Sequence, residues 1–523
     1  MVTLKSALSR MSEHILDANY QATTRDFCEL VREGAPPMSV GMEAMRVVSP
    51  FLHVPSHIMV KPDGDQRTVN FDHVILALWR SKRMSQFMPK GYAELPLTQA
   101  IWYLPQGLDI WSQILCEFPG HYAREQERCP EIKLKGPVQR FDECPPIKGG
   151  SFEDRIALML HSIVEGDKAT AFQAFLGAAA EATQDEVKRR DLEASVLFAG
   201  ITDMPGPRLV MPNMVNAAHK AIRARAMVDL ANVVGWENSY PLFLAVIPDL
   251  ATHPRYFDLL ETATAELQGR FGREYRELRH TNQAPLNARE IEGFVRVLLN
   301  GSQEDTFAAV TDMLAAGKSL LAINDAAVLG AGRVIVQIER PGLSSGFSQA
   351  THCFDYSNVV GYWLRTYDHP QQVKAAYFAP HFVNESARLL RRVPSLAEEE
   401  FETQPHEHAR FAESQSLGGL LRALSTAIDA QEAPLATALT DSYLSRSRNR
   451  KRLIATLAFA SAKWEGDPHM PRNAMSHHEE YSHTTLPGPL RDEIFRSWTR
   501  YVSRVRKRSY DFNCFELYKE VLT

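Results

Sequence analysis

The stretch MPNMVNAAHKAIRARAMVDLANVV, residues 211–234, decides the fold of this chain. It is long, rich in alanine and apolar residues, and predicts one helix that begins near Met214. Gly235 and Trp236 form a break, and a second helix is predicted near Leu242. This helix, break and helix predict a helical hairpin.

The same layout recurs further along the chain. A helix predicted near Thr351 is followed by a break at residues 368–370 and a second helix near Gln371. A third pair, around Leu417 and Arg450, is separated by residues 429–434 and a further helix. The sequence therefore predicts a mainly α fold, an array of helical hairpins whose inner faces form one continuous core.

The first 150 residues differ in composition, because they contain clusters of helix breakers such as GAPPM, KPDGD, EFPGH and CPPIKGG. We expect residues 1–150 to form a loop-rich region that packs on the helices and contributes a histidine-containing loop. We expect residues 151–523 to form the helical-hairpin repeat domain.

Composition excludes several classes of protein. The 523 residues include 58 Lys and Arg against 63 Asp and Glu, a formal charge of −5, so no general attraction to nucleic acid or anionic membranes is expected. The sequence has no secretory signal and no uninterrupted apolar run of about 18 residues, which predicts a cytoplasmic protein that does not span a membrane. The six cysteines are too sparse and too widely spaced for a disulfide framework or a structural zinc site.

A glycine pair in LAINDAAVLGAGRVIVQI, residues 321–338, resembles part of a dinucleotide-binding loop. Gly330 and Gly332 lack the third glycine, a preceding strand and a downstream carboxylate that binds ribose. The sequence therefore argues against a nucleotide fold.

Two histidines are predicted on the core-facing sides of helices. His219 lies on the same predicted helical face as the apolar residues Val215, Ile222, Ala226 and Val233. His352 lies on the same predicted helical face as Tyr356, Val359, Val360 and Trp363. Matching positions in two hairpins indicate a shared interior cavity. The alternative is that each imidazole hydrogen-bonds to a neighbour in the core.

Other histidines extend this set. His53 and His57 flank Pro55, a fixed bend that can present two ligands to one ion, and His73 precedes an apolar run; a capping or surface pair is the alternative. His469 follows an apolar helix and is predicted to point at the core. The remaining histidines nearby lie in polar sequence and are predicted to be solvated, namely His477, His478 and His483.

The stretch QQVKAAYFAPHFVNESARLL, residues 371–390, places four polar side chains on one predicted helical face: Lys374, Tyr377, His381 and Glu385. Pro380 is predicted to break or kink this helix beside His381, which would free backbone carbonyls next to a cavity. A buried Lys374 would lose its proton and act as a ligand or base, whereas a lysine whose amine reaches solvent is the alternative.

No standard catalytic or metal-binding signature accounts for these residues. A site built from them would take single imidazoles from many hairpins. Such open, all-imidazole coordination suits iron or zinc, with Fe(II) favoured and Zn possible.

The helical array with isolated histidines at His219, His352 and His469, and the loop from His53 to His73, resembles the questin oxidase-like family. The resemblance implies a helical protein with a histidine-rich non-heme iron site that oxidises or cleaves polyketide aromatics. It implies five metal ligands: His53, His73, His219, His352 and His469.

The sequence thus predicts a metal-dependent oxidoreductase of the non-heme iron oxygenase type that acts on a small aromatic or oxygenated organic substrate. His57, Tyr356, Lys374 and His381 are the candidate catalytic residues, and five aromatic residues are candidate cavity walls: Trp102, Tyr103, Trp111, Tyr356 and Trp363. The alternatives are a zinc-dependent hydrolase that uses the same histidines and a helical-repeat scaffold with no chemistry.

The predicted function assigns no role to two basic segments, residues 445–452 and 495–510. In the second, an apolar stripe opposite four arginines predicts an amphipathic helix with a solvated basic face. The stripe comprises Phe495, Trp498, Tyr501, Val502 and Val505, and the arginines are Arg496, Arg500, Arg504 and Arg506. A contact with nucleic acid or an acidic partner is the less favoured interpretation.

Overall fold

A computed structural model describes most of the chain. The described residues are 4–17, 19–49, 58–60, 66–68, 73–115, 133–134, 144–206, 215–251, 255–337, 345–392, 405–463, 469–504 and 514–523.

The described residues of the N-terminal part form five helices and a small sheet. The helices are α1 (Leu4–Leu16), α2 (Tyr20–Arg32), α3 (Pro37–Val48), α4 (His73–Met84) and α5 (Leu95–Leu115). Three short strands, β1 (Ile58–Val60), β2 (Gln66–Thr68) and β3 (Lys133–Leu134), pair antiparallel in the order β2, β1, β3. The described part of this region is therefore more helical than its breaker clusters predict.

Helices make up the rest of the described chain. They are α6 (Phe152–Glu165), α7 (Lys168–Ala182), α8 (Glu186–Ile201), α9 (Val215–Val234), α10 (Trp236–Ser239), α11 (Ile247–Leu250), α12 (Asp258–Phe271), α13 (Leu278–Thr281), α14 (Ala288–Asn300), α15 (Gln303–Ala315), α16 (Leu320–Gln337), α17 (Ser345–Thr366), α18 (Gln372–Ala375), α19 (Phe378–Arg392), α20 (Pro405–Ser414), α21 (Leu417–Asp429), α22 (Ala433–Arg446), α23 (Arg450–Ala462), α24 (His469–His483), α25 (Gly488–Arg504) and α26 (Cys514–Leu522). Short 3₁₀ turns cover Ser85–Phe87, Tyr240–Ala245 and Gly272–Glu277. The mainly α prediction is confirmed.

The breaks between helices follow ordinary capping chemistry. Gly166, at φ 80°, ends α6 in the left-handed conformation, and the Asp167 side chain accepts from the Thr170 N–H to begin α7. Ser302 and Asp305 form a capping box at the start of α15. Consecutive helices therefore pack as pairs, such as α6 with α7, α16 with α17, and α21 with α22.

One predicted helix takes another form. Instead of a second long helix near Leu242, the chain forms α10, a 3₁₀ turn and α11 in sequence. Pro241 and Pro248 lie at the starts of two of these turns, where the missing N–H is tolerated, and they limit each turn to a few residues.

The buried apolar side chains form one cluster that runs from Ala7 to Val521. Helix α17 lies near its centre and packs on α9, α16, α19 and α24. The last helix, α26, packs on α2 and α5, so both ends of the chain share the core. The boundary at residue 150 stays a prediction.

Helix α16 is long and apolar enough to cross a membrane by composition, but 78% of it is buried against other helices. Its position explains the glycine pair. Gly330 packs near Val383, and Gly332 packs against Ser497, so both serve close helix contacts.

Helix α9 is enclosed rather than amphipathic, because every residue from 218 to 231 is buried. A Cβ atom on Gly200 of α8 would lie 2.9 Å from the Cα of Ala221, so the glycine permits this close approach. Val233 is 47% exposed, which removes it from the predicted core stripe.

The C-terminal basic helix also differs from its prediction. Phe495, Trp498, Tyr501 and Val502 are buried as expected. Arg500, expected on the solvated face, is only 3% exposed, whereas Arg496 is exposed and pairs with Asp441. Val505 and Arg506 lie outside the described residues.

Candidate metal centre

Three histidines predicted as ligands meet in the interior. His219 lies in the second turn of α9, His352 in the middle of α17, and His469 is the first residue of α24. Their potential ligand atoms all lie within 4.8 Å of one another. We call these three residues the histidine triad.

The geometry of the triad suits a shared ion. The Nε2 atom of His352 lies 2.7 Å from Nε2 of His219 and 3.2 Å from Nε2 of His469. Ligand nitrogens about 2.1 Å from one metal ion would be separated by roughly 3.0–3.4 Å, so these two pairs need only small side-chain movements. The ligand atoms of the third pair, His219 and His469, lie within 4.8 Å of each other. The His352 ring is at 90° to the His219 ring and at 70° to the His469 ring. The rings therefore do not stack.

The number of protons that three neutral imidazoles carry also favours a shared metal ion. A neutral imidazole has one N–H and one lone pair, so a single proton on Nε2 of His352 can serve only one of its two close nitrogen contacts at a time. His219 and His352 are each only 3% exposed, and extra protons there would introduce buried charge. A metal cation satisfies all three lone pairs at once.

A polar layer lies one helical turn further along two of these helices, α17 and α24. Asp355 of α17 accepts hydrogen bonds at Oδ2 from Arg472 and, at 3.2 Å, from Asn473 Nδ2. Asp355 follows His352 by three residues, and Arg472 follows His469 by three. All three residues of this layer are almost completely buried.

Further buried ion pairs surround this layer. Glu479 accepts from Arg80 at 2.9 Å and from Arg225 at 3.0 Å, and Arg225 also pairs with Asp229 at 2.8 Å. Burial alone would raise the pKa of Glu479, but the nearby arginines, Arg225 foremost, hold that pKa well below its usual range. Glu479 is therefore ionised, and it connects α4 with α9 through its ion pairs with Arg80 and Arg225.

A small cavity lies within this layer. Its volume is about 10 Å³, roughly the space that one water molecule requires. Its lining comprises Arg80, Ile222, Arg225, Ala226, Asp355, Asn358, Val359, Arg472 and Ser476. The cavity therefore combines a mostly polar wall with apolar side chains of α9 and α17.

Tyr356 is buried beside the triad on α17, as its predicted stripe requires. Its hydroxyl donates to the carbonyl oxygen of Ile201 at 2.7 Å, and burial raises its pKa well above the usual value. The bond gives Tyr356 a structural role in tying α17 to the end of α8.

The Lys374 and His381 prediction needs a correction in its geometry. The helical path is interrupted between α18 and α19, so Lys374 and His381 do not share one continuous helical face. Pro380 lies in the first turn of α19, where it is tolerated, and does not kink a helix interior. Lys374 is 9% exposed, and His381 Nε2 donates to the Pro205 carbonyl oxygen at 2.9 Å. Burial lowers the pKa of His381 to about 4.

The prediction that His477 is solvated is wrong. His477 is fully buried, its ring stacks on Phe354 at 3.9 Å, and its nitrogens contact the Asn473 carbonyl and the Ser497 hydroxyl, each at 2.8 Å. His478 is half-buried, and only His483 is exposed. The burial of His477 was not predicted because the sequence of α24 is polar.

The predicted N-terminal ligands are not described at the level of side chains. His53 and His57 lie outside the described residues, and His73 begins α4 with a side chain outside the described set. Among the predicted cavity walls, Trp102, Tyr103 and Trp363 are buried in the common core. The side chain of Trp111 is also outside the described set.

Sequence reasoning missed the polar layer. The available signal was an ionisable residue three positions after two of the triad histidines: Asp355 after His352, and Arg472 after His469. Comparisons with protein-family models, curated proteins and solved structures gave no match for this chain.

Proposed function

We propose that this chain is a metal-dependent oxidoreductase of the non-heme iron oxygenase type, with iron held by the histidine triad. The observation that carries the proposal is the convergence of three Nε2 atoms from three separate helices. Iron bound there would supply a Lewis acid and a site for activating oxygen. The questin oxidase-like resemblance supports the same class of reaction.

The ligand set favours an anionic form of the substrate. The triad offers only imidazole nitrogens, which bind a metal as neutral ligands, and Asp355, a nearby carboxylate, is held by Arg472 and Asn473. Neutral ligands leave the full positive charge of a cation at the site. A phenol or enol bound there would be stabilised as its deprotonated form, which suits a small oxygenated aromatic substrate.

The surroundings would keep bulk solvent away from the reaction. His219 and His352 are buried, and His469 is partly buried. Ile222, Ala226 and Val359 contribute apolar side chains on the cavity side of the triad. Electrostatic interactions at such a site are stronger than in water, and reactive species are protected from solvent.

Oxygen consumption tests the proposal. Protein reconstituted anaerobically with Fe(II) is mixed with oxygen and a panel of hydroxylated aromatics, and uptake is followed with an electrode. We expect uptake that depends on one of these compounds and is lost in His352→Ala. The control is His477→Phe, which replaces another buried histidine that the site does not use. Equal uptake in the His352→Ala protein would contradict the proposal.

Zinc hydrolysis is the second candidate, because three imidazoles with an open position also form catalytic zinc sites. The same preparation loaded with Zn(II) is assayed with activated aryl esters. Ester cleavage that requires the triad, together with no oxygen uptake by the Fe(II) form, would favour the hydrolase.

A further inference from the structure

The two carboxylate oxygens of Asp355 have different surroundings. Oδ2 accepts from both Arg472 and Asn473. Oδ1 has no hydrogen-bond partner within the described part of the protein, although Asp355 is only 1% exposed. The side chain is therefore held through one oxygen, while the other is left as a hydrogen-bond acceptor.

The cavity explains how the fold tolerates this arrangement. A buried polar atom without a partner costs about 1–3 kcal/mol. Asp355 lines the cavity of about 10 Å³, which has room for one water. Arg472 Nε and Nη1 and Arg225 Nη1 also have no hydrogen-bond partner among the described residues, and both arginines line the same cavity. A single water there would bond to several of these groups.

Other carboxylates nearby are already engaged. Both oxygens of Glu479 take part in ion pairs, Oε1 with Arg225 and Oε2 with Arg80. Asp229 pairs with Arg225 through Oδ2 and does not line the cavity. Asp355 is thus the carboxylate that combines a spare oxygen with a place in the cavity wall.

Two residues of the cavity wall lie one helical turn after a triad histidine, Asp355 on α17 and Arg472 on α24. Three residues along a helix correspond to a rise of about 4.5 Å, so His352 to Asp355 and His469 to Arg472 are each separated by about one turn. The triad histidines do not line the cavity themselves, so a water there would have to cross this one turn to connect Oδ1 of Asp355 with a hydroxyl group bound at the triad.

We propose that Asp355, acting through this water, accepts the proton that a hydroxyl group loses when it binds at the triad. The proposal rests on the proposed function. The O–H bond of the bound hydroxyl breaks, and its electron pair stays on that oxygen. The proton passes to the cavity water, which gives one of its own protons to Oδ1, and Asp355 becomes a neutral carboxylic acid.

The charges that face Asp355 fit this role. Arg472 and Asn473 of α24 contact it, and Arg80 of α4 and Arg225 of α9 line the same cavity. Oδ2 is occupied by Arg472 and Asn473, so Oδ1 is the oxygen of Asp355 that would accept. As a residue that acts through a water, it positions and stores the proton and does not itself touch the substrate.

Infrared difference spectroscopy gives a direct test with 4-nitrophenol as the probe. The phenol is added to Zn(II)-loaded protein at a pH below its ordinary pKa, and visible absorption reports the bound phenolate. We expect a new carboxylic-acid C=O band to accompany phenolate binding. The band should be lost in Asp355→Asn and kept in Asp249→Asn, which neutralises another buried, arginine-paired aspartate.

The outcomes separate the two proposals. Bound phenolate without a carboxylic-acid band, or with a band that survives in Asp355→Asn, would overturn the role of Asp355 while the metal site stands. If zinc or phenolate does not bind to the wild-type protein, the proposed function fails, and the role of Asp355 fails with it. If Asp355→Asn does not fold, Asp355→Glu assigns the band, because a glutamic acid should shift its frequency.

Discussion

Nε2 of His352 lies 2.7 Å from Nε2 of His219, although the two residues are 133 positions apart in the chain. Two imidazoles meet through the atoms that commonly bind metals, and His469 adds a third from another helix. Because α9 and α17 are held together by the core, this meeting is a property of the fold and not of one flexible loop. The following predictions test what that fold supports.

Replacing Tyr356 by Phe separates a structural role from a catalytic one. The variant removes the bond to the Ile201 carbonyl, which then stays buried without this donor, so we expect a loss of about 1–3 kcal/mol in the free energy of unfolding. Metal content should be unchanged. Denaturant unfolding and elemental analysis check both points, and lost metal at full helicity would place the hydroxyl in the site instead.

His477 should make stability depend on pH. Burial lowers its pKa to about 4 from the ordinary 6.5, so the native state prefers the neutral ring. The associated stability is fully present above pH 6.5 and is lost as the pH falls through 4, a change of about 3 kcal/mol. We expect the pH dependence of unfolding to be weaker in His477→Phe by about this amount. The exposed His483→Phe is the control and should follow the wild type.

Gly200→Ala tests the close approach of α8 and α9. The new Cβ would lie 2.9 Å from the Cα of Ala221, a backbone atom that cannot move without displacing α9 and His219. We expect a stability loss of about 1–3 kcal/mol together with weaker metal binding. Gly269→Ala is the matched control, since its Cβ meets nothing within 4 Å and alanine favours the helix. Equal effects of the two substitutions would contradict this packing argument.

His53 and His73 remain predicted ligands, and metal affinity can test them. If either completes the coordination, its alanine variant should bind metal about 10-fold or more weakly while keeping the triad's stoichiometry. Competition against a chelator of known affinity measures this. Affinities equal to the wild type for both variants would restrict the site to the triad.

Much of the fold was predictable from local patterns. The break at Gly166 and Asp167 and the capping box at Ser302 depend on neighbouring residues, so the helix ends follow from sequence. The series of short turns near Leu242 was not predicted, because the apolar pattern there fits one helix as well as several turns. Apolar periodicity does not resolve such choices by itself.

The site was predictable only in part. His219 and His352 stood on apolar stripes, so their burial could be read from helical spacing. The wrong prediction for His477 had the opposite cause, since α24 buries a polar sequence whose partners come from distant helices. Its stacking on Phe354 and the pairing of Arg472 with Asp355 depend on tertiary contacts that periodicity does not encode.

The central claim is that the histidine triad holds a metal ion, and elemental analysis of protein purified without a histidine tag tests it most directly. We predict about one iron or zinc ion per chain in the wild type, lost in His219→Ala, His352→Ala and His469→Ala while helicity is retained. His477→Phe, a buried substitution in the same helix as His469, should keep the metal. A metal-free wild type under metal-replete conditions, or triad variants that keep the ion, would contradict the claim.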